Sequence, residues 1–178
     1  MNTLLLVSLT LAGALVALAL VRFLATLRRQ HGSRLVACPE THEPAAVNVD
    51  ALGAALSSLR GKPNVHLETC SRWPERADCG QECLGAIQSA PDGCLVRALL
   101  VRWYAGKLCT LCGADVDPVH WYTHEPAFLD LDGRVLEWRD IPVQELPQAF
   151  ETHRPICWNC LIIESVIHKH PERVVYRP

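Results

Sequence analysis

Nine cysteines in 178 residues are the side chains with the most chemistry to offer. Four of them form two Cys-x2-Cys pairs, Cys109-Thr110-Leu111-Cys112 and Cys157-Trp158-Asn159-Cys160. Such a turn presents two sulfurs to one ion and points its backbone amides at them. Two turns together supply four thiolates to a tetrahedral cation, with zinc the default occupant. Gly113, directly after Cys112, suits the tight turn that closes the first pair. Four protein ligands leave no open coordination position, so a structural ion is expected rather than a hydrolytic one. The competing account is buried thiols packed beside Trp103 and Trp158, and two complete pairs weigh against it.

Cys38, Cys70, Cys79 and Cys83 form a second candidate set, with His42 as a substitute ligand. The expectation is a turn cysteine, a strand-end cysteine and two on a helix N-terminus converging on one point. This gives two zinc ions in all, with an iron–sulfur cluster as the alternative occupant of the set around Cys38. Cys94 is then left over as a core thiol, since free cysteine buries readily. An odd cysteine count opposes a pure disulfide scaffold.

The elements that must position these residues are legible in part. Leu35–Ala37 and Ala45–Val49 read as strands around a turn holding Cys38, Pro39 and Pro44. Asp50 caps a helix with Leu52, Leu56 and Leu59 as its apolar face, ended by Gly61 and Pro63. Val65, Leu67 and Thr69 alternate with polar neighbours, a half-buried strand that delivers Cys70. Asp78 and Gln81 have the spacing of a capping box, which predicts a helix from Cys79 to about Ala90 carrying Cys79 and Cys83 on one face. The segment 94–103 fits strand or helix, with its end leaning to strand. Phe128–Leu131 and Arg134–Trp138 flank Asp132-Gly133 as a hairpin. Residues 141–150 make a connection with short helical turns. Leu161–Ile167 is helix-like, and a short terminal strand is expected beyond Pro171.

Before all of this, the chain is uncharged from Leu4 to Val21 and apolar to Leu27 apart from Arg22. That is long enough to cross a bilayer, with Arg22 reaching toward the interface. A cleaved signal peptide fits less well, because no basic residue precedes the run and no small-x-small site closes it. Arg22, Arg28, Arg29 and Arg34 all follow the run, which places the N-terminus outside and the soluble part in the cytoplasm. A reducing compartment favours metal-bound thiolates over disulfides. The expected organisation is a transmembrane anchor over 1–27, a basic linker over 28–34, an α+β segment over 35–94 with the Cys38 set, and a zinc-ribbon- or treble-clef-like segment over 95–178 with the Cys109 set.

A knuckle, a hairpin and a helix bearing the last two ligands follow the order of a zinc ribbon or treble clef. The chain resembles bacterial membrane-anchored metal-binding proteins of that kind over residues 109–172. Cys112-Gly113-Ala114-Asp115-Val116-Asp117-Pro118, with a later cysteine pair and His170-Pro171-Glu172, is similar to small heavy-metal-associated treble-clef domains. That likeness implies a role with copper or similar soft ions, from which the long segment 113–156 departs. The fold class expected is therefore one N-terminal transmembrane helix plus a small α+β metal-binding domain with a zinc-ribbon- or treble-clef-like hairpin and helix.

Seventeen basic against nineteen acidic residues give no nucleic-acid footprint. No serine elbow, phosphate loop or dinucleotide fingerprint is present. Cys157-x2-Cys160 resembles a thioredoxin-like dithiol, but the tryptophan lies inside the pair rather than before it. His120, His124, His153, His168 and His170 are scattered, and Asp78, Glu82, Asp115 and Asp117 form no paired-carboxylate arrangement. Five tryptophans make either the core of a small domain or an aromatic patch for a partner. The function expected is a non-enzymatic, membrane-tethered zinc adaptor or accessory subunit serving an integral membrane protein. A thiol-redox or metal-transfer protein and an iron–sulfur electron carrier are the alternatives.

Overall fold

The computed structural model describes residues 2–73, 75–76, 78–116, 119, 121 and 125–169. The chain divides into two compact units, residues 1–95 and 96–178. Together they comprise one apolar N-terminal helix and a small α+β region with two three-stranded sheets.

Unit 1 begins with helix α1, Asn2–Gln30, whose 29 residues at about 1.5 Å each exceed the roughly 30 Å hydrocarbon core of a bilayer. By length and composition it is apolar enough to cross a membrane. Strands β1 (Arg34–Ala37) and β2 (Pro44–Val49) follow, then helix α2 (Ala51–Ser58), strand β3 (Leu67–Cys70) and helix α3 (Leu84–Ser89). The sheet is antiparallel in the order β1-β2-β3. Val36, Val47, Val49, Leu67 and Ile87 form its core together with Cys83.

Asp50 caps α2 as its sequence predicts, accepting a 2.8 Å hydrogen bond from the Gly53 amide. The face that α2 buries differs from the expectation. Ala54, Ala55 and Ser58 are buried, while Leu52, Leu56 and Leu59 are 57%, 53% and 47% exposed. Small residues allow close helix approach, and α2 packs along α1. On α1 the covered residues are Ala19, Phe23, Thr26, Leu27 and Gln30, one helical stripe. Arg22 donates to the carbonyl of Gly61, just past α2. It therefore ties α1 to the end of α2.

Arg34, expected to end the basic linker, is fully buried. Its guanidinium donates to the carbonyls of Arg29 at 2.7 Å, Gln30 at 2.8 Å and Gly32 at 3.2 Å. The last carbonyls of α1 lack partners within the helix, and Arg34 supplies them.

The predicted helix over Cys79–Ala90 is shorter, Leu84–Ser89, so Cys79 lies outside it and Cys83 only caps it. The reason is Gln81. Its backbone is left-handed (φ 57°) and its side chain accepts the Leu67 amide at 2.9 Å, so it braces β3 instead of completing a capping box.

Unit 2 opens with helix α4, Val96–Tyr104, where the sequence leaned to strand. Val96, Leu100 and Tyr104 are buried at a spacing of four, and helix periodicity prevails over β-branched content. Strands β4 (Ala127–Leu129) and β5 (Val135–Glu137) form the expected hairpin, with Gly133 at φ 80° in its turn. Two 3-10 turns and helix α5 (Leu146–Thr152) lead to strand β6, Arg154–Ile156, which the sequence did not reveal. Helix α6, Trp158–Lys169, completes the described fold. The sheet order is β5-β4-β6, so Pro155 sits on an edge strand, where its missing amide costs no ladder bond. Trp103 packs on Tyr104, Phe128 and Phe150 and donates its indole N–H to the Phe150 carbonyl. The expected terminal strand beyond Pro171 lies outside the described residues, as do Pro74, Asp117, His120, Tyr122, His124 and His170.

Candidate metal centre

Cys109 and Cys112 sit on a tight loop closed by an isolated bridge between Leu108 and Asp115. Within it the Cys109 amide donates to Ala114 and the Gly113 amide to Cys109, at 2.7 and 2.8 Å. Gly113 has φ 73°, a left-handed backbone that a side chain would strain. The Thr110 amide donates to the Pro155 carbonyl at 2.9 Å, which pins this loop to β6. That strand leads straight into Cys157, and Cys160 lies in the first turn of α6. Two segments distant in sequence are thus held side by side by one edge strand.

The sulfurs of Cys109, Cys112, Cys157 and Cys160 all lie within 4.8 Å of one another. Cys112 and Cys157 are 3.6 Å apart. A tetrahedral ion with thiolates at about 2.3 Å sets its sulfurs about 3.8 Å from each other, so the spacing is that of a ligand set. Cys109 is 2% and Cys160 9% exposed. Cys157 is half-buried and Cys112 is exposed.

Burial alone would push the Cys109 thiol up, yet the amides of Cys157, Cys112 and Leu111 bring it down to about 6. Burial raises Cys160 and Cys157, whose thiols also hydrogen-bond their neighbours. Of the four, Cys109 is the sulfur whose surroundings most favour thiolate. A cation is what stabilises the rest as thiolates. The core around them is small, with Ala127, Leu129, Ile156 and Leu161 as its buried non-cysteine members.

The other predicted ligands are placed differently. Cys38 follows β1, Cys70 ends β3, Cys79 lies in the turns before α3, and Cys83 is buried at the start of that helix. They line one pocket in unit 1, but among the described residues only the Cys109 set brings three or more candidate ligands within 4.8 Å. His42 is exposed, in a left-handed turn (φ 59°), and does not line that pocket. Cys94 packs against the core of unit 1, with its thiol toward the carbonyls of Ala90 and Pro91. His153 bonds the hydroxyl of Thr152 and packs on Phe128. The residue whose role sequence reasoning missed is Arg34, which reads there only as one of several arginines following the apolar run.

Neither family models, nor curated proteins, nor solved structures match this chain. The case for its function rests on its own residues.

Proposed function

We propose that the chain is a non-enzymatic, membrane-tethered zinc protein, an adaptor or accessory subunit of a membrane complex. The observation that carries this is the gathering of the Cys109, Cys112, Cys157 and Cys160 sulfurs within 4.8 Å. Four thiolates complete a tetrahedron and leave no position for water or substrate, which suits a structural zinc rather than a catalytic one. The order of loop, hairpin and ligand-bearing helix is that of a treble clef or zinc ribbon. In this proposal α1 is retained as the anchor, with its N-terminus outside. The arginines at its other end keep the soluble part in the cytoplasm, where thiolates stay reduced.

The partner in this proposal is an integral membrane protein. Leu52, Leu56 and Leu59 stand exposed on a helix packed along the anchor, where a transmembrane segment of the partner would dock.

A thiol-redox role draws on the low thiol of Cys109, but that sulfur is buried, and a reactive thiol must meet its substrate. The discriminating experiment is alkylation of the full chain in detergent, followed residue by residue by mass spectrometry. The adaptor reading expects protection of all four tetrad cysteines until a chelator is added. Rapid modification of one of them in metal-loaded, folded protein would replace it with thiol chemistry.

A further inference from the structure

Unit 1 has its own sulfur-lined pocket, separate from the tetrad. Cys38, Cys70, Cys79 and Cys83 border a cavity of about 20 Å³. That is the scale of a single water or ion, which needs about 10–15 Å³. Three of the four sulfurs come from irregular backbone or a strand end. Between β3 and α3 the described residues form turns and irregular backbone, with no strand or helix among them.

The turns resemble those of the tetrad in one respect that ordinary core thiols do not need. The amides of Glu40 and Thr41 hydrogen-bond the Cys38 sulfur, within a loop closed by Cys38 to Glu43 and His42 to Cys38 backbone bonds. The Gln81 amide donates to Cys79 Sγ at 3.4 Å. Amides turned onto sulfur stabilise thiolate, the form that binds metal. Both loops reach this geometry through a non-glycine residue in the left-handed region, His42 and Gln81. Such backbone is unfavourable for a residue with a side chain and persists only where surroundings over-determine it.

Charged side chains of both signs border this pocket, Glu40 and Glu82 among them. Arg72 and Arg76 line the same pocket. Arg72 pairs with Glu43 and Glu75, and Arg76 with Glu40 at 3.5 Å. The Nε of Arg72 is buried and has no hydrogen-bond acceptor among the described residues. A buried donor without an acceptor is costly, and a thiolate cluster beside it supplies negative charge.

We infer that Cys38, Cys70, Cys79 and Cys83 form a second tetrathiolate site for a soft divalent cation of the zinc class, which orders the turns between β3 and α3. Its ligands are less tightly gathered than the tetrad: they line one pocket, and no three of them lie within 4.8 Å of one another. The site does not depend on the tetrad, since all its residues belong to unit 1.

The test is zinc content of the full chain, purified anaerobically in detergent, by elemental analysis. Wild type is expected to carry two zinc ions per chain, Cys38→Ser/Cys83→Ser one, and Cys109→Ser/Cys160→Ser one. A single zinc, kept in the first variant and lost in the second, would overturn this site and leave the tetrad standing. A single zinc with the opposite pattern would uphold this site and remove the basis of the proposed function. Should the first variant fold poorly, maleimide labelling of wild type decides. Cys38, Cys70 and Cys79 should react at least about tenfold faster after a zinc chelator is added, with Cys94 unchanged as internal reference. Equal rates before and after chelation contradict the site.

Discussion

Replacing Arg34 by Met removes the buried guanidinium that caps α1 while keeping an apolar chain of similar length. The two shortest bonds lost run to the carbonyls of Arg29 and Gln30, at 2.7 and 2.8 Å. Hydrogen bonds to a charged group are worth about 1.5–3 kcal/mol each. The lower figure for both gives about 3 kcal/mol, or roughly a hundredfold in a local opening equilibrium. The assay is amide hydrogen exchange of the full chain in detergent, read on peptides covering residues 28–37. The reporters are the His31 amide, bonded to Leu27, and the Leu35 amide, bonded to Cys94. Arg34→Met should speed their exchange about a hundredfold and leave peptides of unit 2 untouched. Arg34→Lys should fall between, since one ammonium cannot reproduce a fork to both carbonyls. Exchange within about threefold of wild type would show that Arg34 does not hold α1 to its sheet.

Zinc affinity should rise with pH. Burial keeps protons on Cys160 and Cys157, and each must leave when metal binds, so affinity should climb at least about two decades per unit between pH 6 and 8. Competition against a chromophoric chelator gives the slope, and a flat profile contradicts thiol ligation. Gly113→Ala forces a side chain into φ 73°, at about 1 kcal/mol, which the same competition should register as roughly fivefold weaker zinc binding. Tyr104→Phe removes the hydroxyl that donates to the Ala127 carbonyl in the middle strand while keeping the ring packing. It should cost about 1–3 kcal/mol, visible as faster exchange of β4 amides and unchanged zinc content.

The tetrad was legible because Cys-x2-Cys is a local motif whose spacing already fixes two ligands per turn. The edge strand that joins its halves was not. Arg154-Pro155-Ile156 is too short to show a period, and its role is a carbonyl offered to Thr110. The hairpin at Gly133 and the cap at Asp50 could be read from turn and cap chemistry, which acts within a few residues. Long-range choices escaped. Gln81 spent its side chain on the Leu67 amide rather than on a capping box. The leucines of α2 lost the buried face to Ala54, Ala55 and Ser58 because α1 packs there, a partner that periodicity alone does not name. Arg34 read as one more charge after an anchor because burial of an arginine is visible only once the carbonyls around it are placed.

The most direct measurement of the central claim is zinc-edge X-ray absorption on the full chain, with the Cys109→Ser/Cys160→Ser variant beside it. The tetrad predicts bound zinc with about four sulfur neighbours at about 2.3 Å, and one equivalent lost in the variant. Zinc bound through oxygen or nitrogen, or the same zinc content in the variant, would contradict it.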